Sequence, residues 1–482
     1  DTDRAAGGYI LYTTIFCARV FLVDRLGALI NEWVPYSPSA KSAFLTPQGS
    51  MVHMPSLLTL DGDAAHTFPN DLLHDCAAGI DIMSWDGNLE FSCATYKKGA
   101  QAQCMHHELE MLPNGNFLSL MWRRHDHAEC VRRGLRPDGP LLQSTGDGSC
   151  WDDGVVEVAM EGADQCHIVW EWWMMDHMVQ ESDPSADNYG RVHEHPELLD
   201  ANYLYNLYNL QPELGHFNTA KYNAELDQIV VSSYTKSELF VIDHSLSTAE
   251  TRGHVGGRYG RGGDLLYRYG NPDAYRAGDA ETLYSGPREH QRVFGLHNAH
   301  WIPSDFPGGG NLLFFNNGIM RDVPPGSDYS YAQSRDIATS TSSVDEVAPP
   351  TKPRSPGVYA KSAELGFYGP ADPTDTFSWD FLFSLSYGGA WRLRNGNTIM
   401  AFSGNPDNVL GFQFVEVEPR AHEVVWNYTS PWGYTGNVQV YRLAHYEEDF
   451  RGFVGKPMRP LRAHEQDDNA YDAAGDRTTT YD

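Results

Sequence analysis

The sequence predicts an all-β chain of repeated four-stranded units, the pattern of a β-propeller, in a single domain. Three observations carry that expectation. Two kinds of β-hairpin alternate along the chain, turn-forming residues are dense, with 45 glycines and 28 prolines in 482 residues, and no segment sustains the 3.6-residue apolar period of a helix.

The first hairpin type is an apolar strand, an Asp or Gly turn, and a second strand ending in an aromatic residue. It occurs from Phe21 to Trp33, from Ile82 to Phe91, from Val155 to Trp170 and from Phe414 to Trp426. The second type is a Pro/Asn/Gly turn feeding a strand, as in Leu112-Pro-Asn-Gly-Asn116, Gly308-Gly-Gly-Asn311 and Leu393-Arg-Asn-Gly-Asn397. Asn-Gly supplies the positive backbone angles that tight hairpins need. Two hairpins per repeat make one four-stranded blade. Ser340-Thr-Ser-Ser343 and Pro349-Pro-Thr-Lys-Pro353 mark residues 322–375 as a surface insertion between blades. Residues 463–482 are polar and read as a tail, leaving the propeller to residues 1–462.

A formal net charge of −29 excludes nucleic acid and anionic membrane as partners, because both require basic surface. No apolar run reaches the roughly 18 residues needed to span a bilayer; the stretch from Tyr9 to Val23 is broken by Thr13, Thr14 and Arg19. The seven cysteines (Cys17, Cys76, Cys93, Cys104, Cys130, Cys150 and Cys166) all precede residue 167 and follow no zinc-site spacing. Cys130 and Cys150 bracket an insertion carrying Arg132-Arg-Gly-Leu-Arg136, and a disulfide closing it suits a secreted or other oxidising location. The chain opens on Asp1 rather than Met, as expected after removal of a leader. Asn427-Tyr-Thr429 is its one glycosylation tripeptide.

Three histidines stand in matching contexts. His107, His216 and His297 each lie just upstream of an apolar run, namely Phe117–Met121, Gln228–Ser232 and Asn311–Phe315. One histidine per repeat, at a similar place, aims several imidazoles at a common centre. Imidazole is the side chain best suited to nucleophilic or acid–base work near neutral pH. His106 and His107 are adjacent, so in an extended strand one of them faces the axis; His300, three residues past His297, faces away. His125-Asp-His127 and His193-Glu-His195 read as solvated loops, and Trp170-Glu-Trp-Trp173 as a blade strand.

The chain resembles the bacterial-type, nucleotide-independent arylsulfotransferases from about residue 9 to about residue 455. The likeness rests on His106-His-Glu with Leu112-Pro-Asn-Gly-Asn116, on Asn223-Ala-Glu-Leu-Asp-Gln-Ile-Val-Val-Ser232, and on Ile242-Asp-His-Ser245. It continues through Gly262-Gly-Asp-Leu-Leu-Tyr-Arg-Tyr-Gly-Asn-Pro272, Phe315-Asn-Asn-Gly318, Asn395-Gly-Asn-Thr398 and Val440-Tyr-Arg-Leu-Ala-His-Tyr446. The resemblance implies a six-bladed propeller with an axial active site and transfer of a sulfuryl group between phenols. It places the nucleophile on His297, the supporting histidines on His107 and His216, and a sulfate-binding asparagine on Asn218. The family's arginine position holds Tyr234, and its Gln-His-Asp around the nucleophile is Leu296-His297-Asn298. A phenol donates one hydrogen bond but lacks the charge and fork of a guanidinium, which makes Arg321 or Arg392 the substitute donor.

The implied substrate is a small anionic or phenolic molecule, and no cofactor is required. Three imidazoles on one axis would also suit a divalent or transition metal. Two other classes fit the same residues: an acid–base eliminase using Tyr234 and a histidine, and a non-catalytic propeller serving binding or assembly.

Overall fold

The computed structural model describes residues 4–14, 18–61, 67–203, 212–277, 290–319, 321, 341–352, 354–361, 368–378, 384, 386–403, 412–429 and 440–463. Six small antiparallel sheets stand in a ring as the blades of a β-propeller. The first blade runs outward through Ser39–Leu45, Met51–Pro55, Gly79–Met83 and Leu89–Ala94. The second comprises Gln103–Met111, Phe117–His125, Cys150–Glu161 and Gln165–Trp173, with Cys76–Ala77 added beside its innermost strand. The third uses Phe217–Asn223, Gln228–Ser233, Glu238–Asp243 and Tyr267–Tyr269. The fourth uses Leu296–Trp301, Leu312–Asn316, Ser343–Val347 and Asp375–Ser378, and the fifth Gly389–Arg392, Thr398–Ser403, Phe412–Glu418 and Glu423–Thr429.

The sixth blade closes the ring. Val440–Tyr446 pairs with Tyr9–Thr14, so the C-terminal strand is laid innermost on three N-terminal ones. Strands from the N- and C-terminal parts of the chain thus share one sheet, with Val440–Tyr446 at its inner edge and Arg462–Ala463 beside Ala28–Trp33 at its outer edge. Each hairpin expected from the sequence forms: the first type makes the two outer strands of a blade and the second its two inner strands.

Blades are apolar on both faces because each is covered by its neighbours. Leu118, Leu120, Val155, Trp172, Phe217, Val231 and Phe240 form one buried cluster between the second and third blades. Leu313, Phe315, Val344, Met400, Phe402 and Val415 form another between the fourth and fifth. Each such side chain contributes roughly 1.5–3 kcal/mol on burial.

The expected insertion at 322–375 is corrected by the structure. Ser343–Val347 and Asp375–Ser378 are the third and fourth strands of the fourth blade, and Ser343 to Val347 are buried throughout. Their short Ser/Asp/Glu-containing sequence hides them, because the carboxylates find partners inside: Asp345 Oδ2 accepts from Asn316, and Glu346 accepts from Asn311 and Arg392. Residues 322–340 and the tail 464–482 lie outside the described residues.

Cys130 and Cys150 are joined, as expected, and two further disulfides link Cys76 to Cys104 and Cys93 to Cys166. The last of these staples the outermost strands of the first two blades together. Cys17 lies outside the described residues. Three disulfides fit a chain that folds under oxidising conditions. Replacing Cys130 and Cys150 together with serine should cost about 3 kcal/mol, because the pair closes a 20-residue separation. Non-reducing peptide mapping and denaturant melts of wild type and variant check the pairing and the cost.

Candidate active site

The innermost strands share a device that the alternation rule does not contain. Five residues in or just before them adopt positive φ: Lys41 (102°), His107 (55°), His216 (43°), Asn298 (59°) and Tyr387 (69°), half of the ten such non-glycine residues described. Register shifts accompany them between Ser39 and Ala43, beside His106 and Leu109, between Phe217 and Thr219, and between His297 and His300. A shift also separates Tyr12 from Thr14 against the sixth blade's inner strand. A bulge re-aims the side chain beside it, and strained backbone of this kind concentrates at functional sites. Repeated around the ring, it turns polar side chains onto the axis.

The three histidines converge. His107 and His216 have ring centroids 5.1 Å apart. Tyr234 bridges His216 to His297 at 5.5 Å from each, and Tyr441 bridges His297 to His107 at 5.9 and 5.6 Å. Tyr387 stands 6.3 Å from His297 and 5.7 Å from Tyr441. All three imidazoles are therefore within one aromatic ring of one another.

Each imidazole is held by its other ring nitrogen. Asn317 Nδ2 donates to the carbonyl oxygens of Ser384 and Tyr387, both at 2.8 Å, so its Oδ1 is the atom 2.7 Å from His297 Nδ1. His297 Nδ1 must then carry the proton, leaving the Nε2 lone pair for chemistry. Burial pushes His297 well below the usual imidazole range, opposed by its bond to Asn317 and reinforced by Arg442, His216 and Lys41. It is a neutral imidazole held in one tautomer.

His216 is tuned the opposite way. Its Nδ1 lies 2.6 Å from Oε1 of the buried Glu213. Burial pulls the imidazole down, but the Glu213 bond and charge, with Asp75 and Asp153, outweigh it and hold His216 above its ordinary value. The supporting segment is clamped by the second blade. Trp151 N donates to Pro212 O, Leu214 N to Trp151 O, and Gly215 N and Phe217 N to the Asp153 carboxylate.

His107 lies with Nδ1 2.8 Å from His106 Nδ1 and with Nε2 3.5 Å from Asp75 Oδ2. His106 stacks on Trp122 at 3.7 Å, so of the adjacent pair it is His107 that meets His216. Burial, followed by the His216, His106 and Lys41 charges, keeps His107 neutral. The Cys76–Cys104 disulfide fixes the segment that carries Asp75 against this strand.

Lys41 is the residue that sequence reasoning missed. It is buried, its Nζ is 2.5 Å from Asp75 Oδ1, and it donates to Tyr387 Oη at 3.2 Å. Burial opposes its charge, but Asp75 and Tyr387 more than compensate, so it stays an ammonium. Asp75, Glu213, Asn317, Tyr387 and Tyr441 were missed as well. Only Asn317 and Tyr441 fell within quoted segments, Phe315-Asn-Asn-Gly318 and Val440–Tyr446, where they read as framework.

Several expected substrate contacts are spent elsewhere. Asn218 is fully buried, donates to Leu296 O at 2.6 Å and accepts from Ser232 at 2.5 Å, which locks the third blade to the fourth. Asn298 Oδ1 accepts from Ala390 N, while its Nδ2 has no hydrogen-bond partner among the described residues. Arg321 donates to Thr341 O and Ser343 Oγ, and Arg392 is committed to Glu346, Pro307 O and Thr398. The cations that act on the axial histidines are Lys41 and Arg442. Tyr234 is where the sequence put it, against both His216 and His297.

His300 stands outside the three-histidine group, with its Nδ1 2.9 Å from the Asn298 carbonyl oxygen. The bulge at Asn298 breaks the alternation, and burial, with Lys221 and Arg442 nearby, pushes His300 down to about 4. Along the same inner strands Arg442 pairs with Glu108, and Lys221 Nζ lies 3.2 Å from Glu108. A cavity of about 580 Å³ adjoins this belt, lined among others by Lys41, Asn298, Arg442, Phe44, Met111 and Trp391.

No protein-family model matches the chain, and no curated protein matches its sequence. Among solved structures it is similar to a protein of unknown function from Bacteroides caccae, at 10% identity and TM-score 0.43, covering 92% of this chain and 100% of that one. It is also similar to the periplasmic gluconolactonase of Pseudomonas aeruginosa, at 11% identity and TM-score 0.39, covering 91% and 99%. Among the described residues no helix is long and apolar enough to cross a membrane.

Proposed function

We propose that the axial pocket transfers a sulfuryl group from an aryl sulfate to a phenolic acceptor through His297, in a secreted or periplasmic protein. The observation that carries the proposal is the fixed tautomer of His297: a buried, neutral imidazole with Nδ1–H held by Asn317 and Nε2 left for attack. In the first half-reaction the Nε2 lone pair attacks sulfur, the S–N bond forms and the S–O(aryl) bond breaks. The departing aryl oxygen takes the proton of His216, which Glu213 keeps available. In the second, a phenol gives its proton back to His216 and its oxygen attacks sulfur, releasing His297. Lys41 and the Nε2–H of His107 are the donors for the sulfuryl oxygens. The aromatic and apolar walls Trp391, Phe44 and Met111 of the adjoining cavity suit an aryl ring.

Charge selects sulfate over phosphate. Lys41 is matched by Asp75 and His216 by Glu213, so the pocket presents oriented donors without a large excess of positive charge. A monoanionic sulfate ester suits that balance better than a dianionic phosphate ester. The test is turnover of an aryl sulfate with and without a phenol acceptor, beside the matching aryl phosphate. Acceptor-dependent release of phenol from the sulfate alone supports the reading; no turnover of the sulfate contradicts it.

Tyr234→Arg is expected to raise sulfotransferase activity, because a guanidinium adds a charge-assisted contact worth roughly 1.5–3 kcal/mol. If Tyr234 is instead an acid or base of an eliminase, the same change destroys the native activity and yields no transfer. Steady-state assay of the variant on aryl sulfate decides between them.

A second reading is favoured by one observation: Asp75, His107 and His216 offer ligand atoms all within 4.8 Å of one another. The second ring nitrogens of both histidines are held, by His106 and Glu213, as those of metal-bound histidines are. These three residues would hold a divalent metal, which when bound would supply a Lewis acid. Against it stands Lys41, whose ammonium already neutralises Asp75 at 2.5 Å. Elemental analysis of the purified protein separates the two.

A further inference from the structure

We infer a second, off-axis site for a divalent transition metal, formed by His177, His254 and Asp264 where the second blade meets the third. His177 ends the short turn Met174–His177 that follows the outermost strand of the second blade, while His254 and Asp264 lie between the third and fourth strands of the third blade. The three ligand atoms all lie within 4.8 Å of one another. Asp264 Oδ1 is 2.9 Å from His177 Nδ1 and 2.7 Å from His254 Nδ1. Those separations are shorter than the roughly 3.3–3.6 Å edge of a tetrahedral site with Zn–N and Zn–O bonds of about 2.0–2.2 Å, so a small side-chain adjustment would seat an ion.

The cluster is built rather than incidental. His177 is fully buried and stacks on Trp172 at 4.9 Å with 7° between the ring planes. Trp172 Nε1 in turn donates to Gly263 O at 2.6 Å, which anchors the residue before Asp264. Asp264 is itself nearly buried, whereas His254 is exposed and, with Asp264, lines a cavity of about 530 Å³. One side of the cluster is therefore rigid, and the other is open to solvent that would complete a coordination sphere.

The decisive observation is a nitrogen with nothing to bind. His177 Nε2 is buried and has no hydrogen-bond partner among the described residues. If both imidazoles donated Nδ1–H to Asp264, that lone pair would stay buried and unsatisfied. With a metal on Nδ1, the proton moves to Nε2, which then becomes a donor. The position that a Cβ on Gly263 would fill lies 2.7 Å from His177 Nε2 and 2.0 Å from the Thr251 carbonyl oxygen. The space that Gly263 leaves open beside this nitrogen is where the outer-shell partner of a metal-bound histidine would sit. Two imidazoles and one carboxylate favour zinc, cobalt or nickel over calcium or magnesium.

The test uses Co²⁺ as an optical probe on the full chain after chelator treatment, read by d–d absorption and by titration stoichiometry. Wild type is expected to take up Co²⁺, and His254→Ala, an exposed change that leaves the fold intact, to weaken this off-axis uptake by 100-fold or more. Asp264→Asn should do the same. His216→Ala removes the axial cluster as a source of signal and should leave the off-axis uptake in place. Wild type that stays folded and binds no Co²⁺ overturns the inference. So does a Co²⁺ spectrum that persists unchanged in His254→Ala or vanishes only in His216→Ala.

Discussion

His297→Ala is expected to abolish sulfuryl transfer, with a loss at least on the order of 10⁴-fold, while the chain keeps its fold. The magnitude follows from removing the atom that forms the covalent intermediate, a loss that the remaining donors cannot make up. Retention of fold follows from where the side chain points: into the axial pocket, with one hydrogen bond to Asn317, and not into the clusters between blades. His300→Ala is the matched control. Its Nδ1 lies 2.9 Å from the Asn298 carbonyl oxygen and it takes no part in the His107–His216–His297 group, so transfer should change little. Initial rates on an aryl sulfate, with circular dichroism of both variants, check the pair.

The second large effect concerns pH. His297 titrates below its ordinary value because of burial, and His216 above it because Glu213 outweighs burial. Attack requires His297 neutral and His216 protonated, so the rate should rise as pH passes upward through the lowered His297 value. It should fall as pH passes through the raised His216 value, giving a plateau around neutrality. Glu213→Gln removes the charge that holds the His216 proton. The alkaline limb should move to lower pH, and the rate above neutrality should fall about 10²-fold, while the acid limb, set by His297, stays in place. A general loss of structure would lower the whole profile without moving one limb.

The same shifts give stability a pH dependence. For His216 the folded value is raised, so its contribution is fully present below the unfolded value near 6.5 and is lost as pH rises through the folded one. For His107 and His297 the folded values are lowered, so below about 6.5 the unfolded chain takes up protons that the folded chain refuses. Acid therefore destabilises the fold through those two. Denaturation midpoints against pH for wild type and Glu213→Gln measure both contributions.

The blades were legible because hairpin chemistry is local. Turns such as Leu112-Pro-Asn-Gly-Asn116 announce themselves, and each sits between two inner strands of a blade. The histidines were legible because they recur once per repeat. What surrounds them was not, since it depends on the bulges. A positive φ at Lys41 or Asn298 has no signature in Ser39-Ala-Lys-Ser42 or Leu296-His-Asn-Ala299. Without it, strict alternation gives no reason to look at Lys41. Partners such as Asp75 and Glu213 come from connecting segments brought to the axis by the Cys76–Cys104 disulfide and the Trp151 bridge, contacts set by the closed ring and not by neighbouring sequence. The strand Ser343–Val347 was hidden for a related reason: Asp345 accepts a hydrogen bond from Asn316 of the neighbouring strand, and Glu346 is paired with Arg392 of the next blade.

The most direct measurement is a search for the covalent intermediate. Wild-type protein is mixed with an aryl sulfate in the absence of acceptor, quenched in alkali because an N-sulfated imidazole is acid-labile, digested, and mapped by mass spectrometry. The account predicts one added SO₃ on the imidazole of His297, lost on addition of a phenol and absent from His297→Ala. Release of phenol with no modified peptide, or with the group on another residue, would contradict it.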